Sequence, residues 1–159
     1  MKKQIENVLK ESTIITFEDI CFIYQVPELK DAQKNMELEA AAEVKYRGDL
    51  TGKLLIETRG GLSMAIAANM LSNDVPSAQQ KKDALGEIAN IICGNVVPSL
   101  GRGKLEYKIE SPRPLNKDEL LKEEKQGNPL AEITFNFNEG RADIKFFVDG
   151  YSATKEKKK

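Results

Sequence analysis

Apolar residues recur at spacings of three and four in several parts of the chain, which is the period of an amphipathic α-helix. Three segments have this period: residues 3–24, 63–73 and 77–97. Ser63 and Ser77 stand at the start of the second and third segments, where a serine side chain can accept a hydrogen bond from the first free backbone N–H groups. The pattern therefore predicts three helices, two of them capped by serine.

Other segments alternate between apolar and polar residues, which is typical of half-buried strands. Residues 36–46 and 53–58 predict one hairpin, residues 104–110 a single strand, and residues 130–148 a second hairpin that turns at 138–140. Residues 115–129 are mostly charged, and we expect a long loop with no more than a helical turn. This order predicts an α/β protein of the α+β type, with a mostly antiparallel β-sheet packed against helices.

Length and charge narrow the classes of function. The 159 residues suit one domain over residues 1–151, followed by a disordered Lys-rich tail at 152–159. Because 24 basic side chains nearly balance 25 acidic ones, no strong field attracts the chain to nucleic acid or to an anionic membrane. We find no apolar run of the roughly 20 residues that cross a bilayer and no apolar segment of a signal peptide, so we expect a cytoplasmic protein.

The chain contains no histidine, which excludes Ser/His and Cys/His nucleophilic sites and most transition-metal sites. Cys21 and Cys93 lie within apolar helical patterns, and we interpret both as small core residues. Any chemistry must therefore use carboxylates, amides, lysines or hydroxyls.

The helix predicted at residues 77–97 carries the candidate chemistry. Its apolar residues form one stripe that we expect to be buried, made of Leu85, Ile88, Ala89, Ile92, Cys93 and Val96. The opposite side holds Asp83, Glu87, Asn90 and Gly94, and Ile91 and Val97 border it as exposed apolar positions. Because residues three apart are neighbours on a helix surface, Glu87 and Asn90 are expected to project together into solvent.

The stretch GEIANIICGNV (residues 86–96) resembles the E-x-x-N signature helix of the CheX/CheC/FliY chemotaxis phosphatases. Glu87 is the only glutamate with an asparagine three positions later. TFEDICFIY (16–24) and GGLSMAIAANMLSNDV (60–75) also resemble the corresponding stretches of CheX-like proteins. A single E-x-x-N pair is similar to CheX, whereas CheC-type members often carry two, so the resemblance implies one active site per chain.

The resemblance implies a CheC/CheX-like fold and a phosphatase that acts on the aspartyl phosphate of a CheY-like response regulator. By this resemblance Asn90 orients the attacking water and Glu87 pairs with a lysine of the receiver domain. Asp83, Ile91, Gly94 and Val97 are then expected to contact that partner. The resemblance also implies a homodimer, no cofactor bound by this chain, and Mg²⁺ held by the response regulator.

Two alternatives stay open. A glutamate and an asparagine on a solvated helix face are common, so the chain could be a non-catalytic module that binds a receiver domain or a flagellar switch component. It could also be a structural subunit whose Ile91 and Val97 form a homodimer interface.

Overall fold

The computed structural model describes residues 1–27, 36–100 and 106–151. These residues form four α-helices, one 3₁₀-helix and six strands. In chain order the elements are α1 (Lys2–Cys21), β1 (Leu38–Arg47), β2 (Gly52–Gly60), α2 (Leu62–Leu71), α3 (Ala78–Val96), the 3₁₀-helix (Val97–Leu100), β3 (Lys108–Ile109), β4 (Arg113–Leu115), α4 (Lys117–Glu124), β5 (Ala131–Phe137) and β6 (Gly140–Val148). The predicted tail at 152–159 and part of the strand predicted at 104–110 lie outside the described residues.

The strands form one antiparallel sheet in the order β3-β1-β2-β6-β5, with β4 also paired to β1. Both predicted hairpins are present, β1 with β2 and β5 with β6. The central pair, β2 with β6, runs without a register shift from Gly52 opposite Val148 to Gly60 opposite Gly140. The predicted α+β fold, an antiparallel sheet packed with helices, is therefore confirmed.

The two faces of the sheet are covered differently. On β2, Leu54 and Ile56 belong to the main core, which is shared with α1, α2 and α3. Leu55 points to the other face and joins a smaller cluster with Leu120 of α4 and Phe147 of β6. Three helices thus cover one face, and α4 covers part of the other.

The predicted Ser63 cap is wrong. Helix α2 begins at Leu62, so Ser63 lies inside the first turn and is 1% exposed. Its backbone N–H donates to Oε1 of Glu39 at 2.7 Å. A carboxylate from β1 therefore satisfies the helix end, where negative charge is favourable, and the local sequence pattern does not show this long-range contact.

The prediction of a long loop at residues 115–129 is also wrong, because this segment contains the end of β4 and the whole of α4. Asn116 caps α4: its side chain accepts from the Glu119 N–H at 2.8 Å, and its own N–H donates to Glu119 Oε1 at 3.0 Å. This reciprocal pair is a capping box. Packing of Leu120 onto the sheet then holds a helix of only eight residues, which would be marginal alone.

Candidate functional site

Helix α3 has a well-defined start, as the sequence predicted. Oγ of Ser77 accepts from the Gln80 N–H at 3.1 Å, and the Ser77 N–H donates to Gln80 Oε1 at 2.9 Å. This capping box fixes where the helix begins and so which side chains face the core.

The predicted two-sided character of α3 is present. The inner stripe is no more than 1% exposed at each position: Leu85, Ile88, Ala89, Ile92, Cys93 and Val96. On the opposite side Asp83, Glu87 and Asn90 are exposed and Gly94 is partly exposed. Glu87 and Asn90 therefore project from a rigid helix on the same side, one turn apart.

Glu87 and Asn90 make no hydrogen bond or ion pair with any residue of the described ranges. Asp83, one turn earlier, differs because its Oδ1 accepts from Gln79 Nε2 at 2.8 Å. The carboxylate of Glu87 and the amide of Asn90 are thus available to a partner, whereas Asp83 is already oriented along its own helix.

The end of α1 lies beside this face. Burial, and to a smaller extent the negative charge of Glu87, together raise the pKa of the Cys21 thiol to about 12. A buried thiol with such a pKa is not nucleophilic at neutral pH. Cys21 is therefore a core residue, as predicted. The Glu87 carboxylate is close enough for its charge to affect the pKa of the thiol.

Two glycines of α3 have different surroundings. A Cβ added at Gly94 would meet Ile109 Cδ1 at 3.7 Å, an ordinary contact distance. A Cβ at Gly86 would meet Cβ of Pro112 at 3.1 Å, which is tight. The segment between β3 and β4 therefore packs against α3 next to Glu87, and Pro112 is a neighbour of the site that the helical pattern did not predict.

The predicted exposure of Val97 is wrong. Ile91 is half-buried, as a border position should be, but Val97 is 1% exposed and belongs to the main core. Val97 still has α-helical dihedral angles, and its N–H donates to the Cys93 carbonyl, so the projection gives its direction correctly. The 3₁₀-helix that begins at Val97 packs against α1, and this contact buries a position that a projection of α3 alone leaves at the border. We therefore exclude Val97 from partner contact.

The site is an open surface. Three cavities of about 440, 440 and 650 Å³ are lined by other residues, and neither Glu87 nor Asn90 lines any of them. Within the described part of the chain, no three His, Cys, Asp or Glu side chains are grouped so that they could hold a metal ion. A carboxylate and an amide on a convex helix can contact a group presented by another macromolecule, but they cannot enclose a small substrate.

The family model described as chemotaxis phosphatase CheX matches residues 40–136, which include all of α3. The chain belongs to the CheX family. No curated protein matches the sequence.

Several solved structures have the same fold at low sequence identity. A CheX from Desulfovibrio desulfuricans is 19% identical with a TM-score of 0.66, over 91% of this chain and 99% of that one. A CheC-like superfamily protein from Shewanella is 18% identical with a TM-score of 0.67, over 94% of this chain and 100% of that one. CheX from Borrelia burgdorferi, solved in a complex with CheY, BeF3 and Mg²⁺, is 16% identical with a TM-score of 0.66, over 89% of this chain and 96% of the matched chain.

These likenesses confirm the predicted CheC/CheX-like fold. None of the described helices is both long and apolar enough to cross a membrane.

Proposed function

We propose that this CheX-family chain is a protein phosphatase that hydrolyses the aspartyl phosphate of a CheY-like response regulator, with Asn90 and Glu87 as its two functional side chains. The observation that carries the proposal is the joint exposure of Glu87 and Asn90 on one side of α3, without partners among the described residues. The Borrelia burgdorferi CheX of the same fold, solved with CheY, BeF3 and Mg²⁺, supports this choice of partner.

Asn90 positions the water. Its Oδ1 can accept one proton of the water, and its Nδ2 can donate to a phosphoryl oxygen, which aligns the water oxygen with the phosphorus. The new P–O bond forms as the bond to the aspartate oxygen breaks, so that the products are inorganic phosphate and a free carboxylate. An amide does not take up a proton at neutral pH, and the water proton passes to the phosphate product. Positioning is sufficient because little covalent chemistry is required of the protein.

Glu87 docks the partner. Its carboxylate lies one turn before Asn90, and we propose that it pairs with a lysine ammonium of the receiver domain. At about 4 Å such a pair is worth roughly 1 kcal/mol in water and more as the interface excludes water. Mg²⁺ bound to the receiver would neutralise charge on the phosphoryl group, and this chain supplies no ligand to it.

The test is the decay of a phosphorylated CheY-like receiver domain from the same organism, with Mg²⁺ present. Wild-type protein should accelerate the decay, and Asn90→Ala should lower the accelerated rate about 100-fold, which is typical when one transition-state hydrogen-bonding group is removed. Binding to a receiver carrying beryllium fluoride should be retained. Asn95→Ala is the matched control, because Asn95 is exposed on the same helix but on a different side.

A rate for Asn90→Ala equal to that of wild type would refute the water-positioning role. If wild type binds the receiver without accelerating decay, the chain is a docking module. A homodimer and a cytoplasmic location stay predictions, and sedimentation equilibrium would test the first.

A further inference from the structure

Helix α1 ends on an unusual residue. Phe22 has φ 55° and ψ 37°, the left-handed conformation, and its N–H and that of Ile23 both donate to the Phe17 carbonyl. This conformation is common at helix ends, but glycine or asparagine normally adopts it because a larger side chain crowds the backbone. Phe22 is nevertheless 64% exposed, so burial within the chain does little to offset this strain. Strain of this kind in a native structure points to a functional requirement.

The end of α1 is held firmly beside the proposed catalytic face. The Cys21 carbonyl, directly before Phe22, accepts from Asn69 Nδ2 of α2 at 2.6 Å. Helix α1 also packs along α3, and the Glu87 carboxylate is near enough to influence the Cys21 thiol. Phe22, the next residue after Cys21, therefore stands on a fixed backbone near Glu87.

The surroundings of Phe22 have the composition of a protein-binding surface. Ile15, which is 55% exposed, and Asp19, which is also exposed, lie one turn apart on the same side of α1 before Phe22. Glu87 adds an acidic group on α3 near Cys21. An exposed aromatic residue with a charged border is the usual arrangement around an interface hot spot.

We propose that Phe22 is an apolar anchor of the surface on which the phosphorylated receiver domain docks, next to Glu87. This inference rests on the proposed function, because that function supplies the occupant. A receiver positioned by Glu87 and Asn90 alone would be held by two polar contacts, and the aromatic ring continues the same surface onto α1. The acidic border suits a receiver whose contact at Glu87 is a lysine. Phe22 is a positioning residue and takes no part in the chemical step.

The test variant is Phe22→Asn, because asparagine tolerates the left-handed conformation and removes the ring. We expect the dissociation constant for a beryllium fluoride-loaded receiver to rise about tenfold, which corresponds to about 1.4 kcal/mol. The KM for the phosphorylated receiver should rise similarly, with kcat at saturation unchanged. Leu121→Asn is the matched control, since Leu121 is 46% exposed on α4, which packs on the other face of the sheet.

A second measurement separates docking from folding. The thermal midpoint of Phe22→Asn should lie within about 3 °C of wild type, since the polar residue relieves the backbone strain. An unchanged dissociation constant would overturn the inference, and so would a lowered midpoint together with a lower kcat. A change in self-association with unchanged receiver binding would assign the ring to a dimer interface and would also overturn it.

The two proposals fail in different ways. If Asn90→Ala stops turnover while Phe22→Asn binds the receiver like wild type, the proposed function stands and only the Phe22 inference falls. If wild-type protein neither binds nor dephosphorylates the receiver, both fall.

Discussion

Replacing Gly94 by alanine should stabilise the protein, and the structure sets the magnitude. Gly94 lies inside α3, where alanine is favoured over glycine by about 1 kcal/mol. Among the described residues the new Cβ would meet only Ile109 Cδ1 within 4 Å, at 3.7 Å, and this ordinary contact does not offset the gain. We expect the free energy of unfolding to rise by about 1 kcal/mol, equivalent to about 3 °C in Tm for a chain of this length.

Gly86→Ala on the same helix is the matched comparison. The gain in helix propensity is the same as for Gly94→Ala. The added Cβ, however, would lie 3.1 Å from Cβ and 3.3 Å from Cγ of Pro112. A proline ring cannot rotate out of the way, so the helix or the segment before β4 has to shift. The steric cost should cancel the gain, and we expect no stabilisation or a loss of about 1 kcal/mol.

Urea unfolding of both variants, with an unchanged m-value, measures the difference. If Gly86→Ala stabilises the protein as much as Gly94→Ala, the reasoning from these contacts is wrong. Gly94→Ala has a further consequence, because Gly94 lies on the face proposed to meet the receiver. A close approach of the receiver backbone there would make the variant more stable but weaker in docking, and opposite signs in the two assays would identify that approach.

Two other changes concern the opposite face of the sheet. Burial, followed by the neighbouring Glu123, raises the pKa of Glu43 despite the contact of Arg113 with Glu43 Oε1 at 3.2 Å. The carboxyl of Glu43 therefore binds its proton more tightly in the folded protein than in the unfolded chain. The stability that protonated Glu43 contributes is lost as pH rises from its unfolded-state pKa through its folded-state pKa. At pH 8 the free energy of unfolding of Glu43→Gln, measured in urea, should therefore exceed that of wild type, and this excess should shrink towards pH 4. An equal excess at both pH values would contradict this. Asn116→Ala removes the α4 cap that accepts from the Glu119 N–H and should lower the free energy of unfolding by about 1 kcal/mol. The proposed phosphatase activity should not change, and a large loss of activity would show that α4 matters to the site.

The parts of the fold that the sequence predicted correctly depend on local rules. The serine and glutamine of the Ser77 capping box are three residues apart, so both the start of α3 and the side on which Glu87 and Asn90 project follow from neighbouring residues. The two hairpins likewise follow from alternation and a short turn. Local periodicity therefore predicted both hairpins and the exposed pair, but not the order of the strands in the sheet.

The errors arose where a distant contact decided the structure. Glu39 is remote in sequence from the helix end that it satisfies, and no local pattern links it to Ser63. The charged segment after Leu115 is helical because Leu120 has a second apolar face of the sheet to cover, which requires knowing that the sheet has one. The hydrophobic pattern did not single out Phe22, because neither its backbone conformation nor its exposure can be read from that pattern.

An exposed helix face can place catalytic side chains accurately if the opposite side of the helix is packed in the core. Ile88, Ala89 and Ile92 lie next to Glu87 and Asn90 along α3 and are fully buried. The main chain beneath the two proposed functional side chains therefore cannot shift without opening the core. A rigid backbone limits the error in placing the amide, and displacements of about 1 Å are enough to slow positioned reactions about 100-fold. Because the proposed substrate is a phosphoryl group on another protein, the face needs no cavity of its own, and the remaining requirement is to orient that protein. Under the two proposals, the buried side of α3 sets the rate because it fixes the amide, and the surrounding surface, including Phe22, sets the choice of partner.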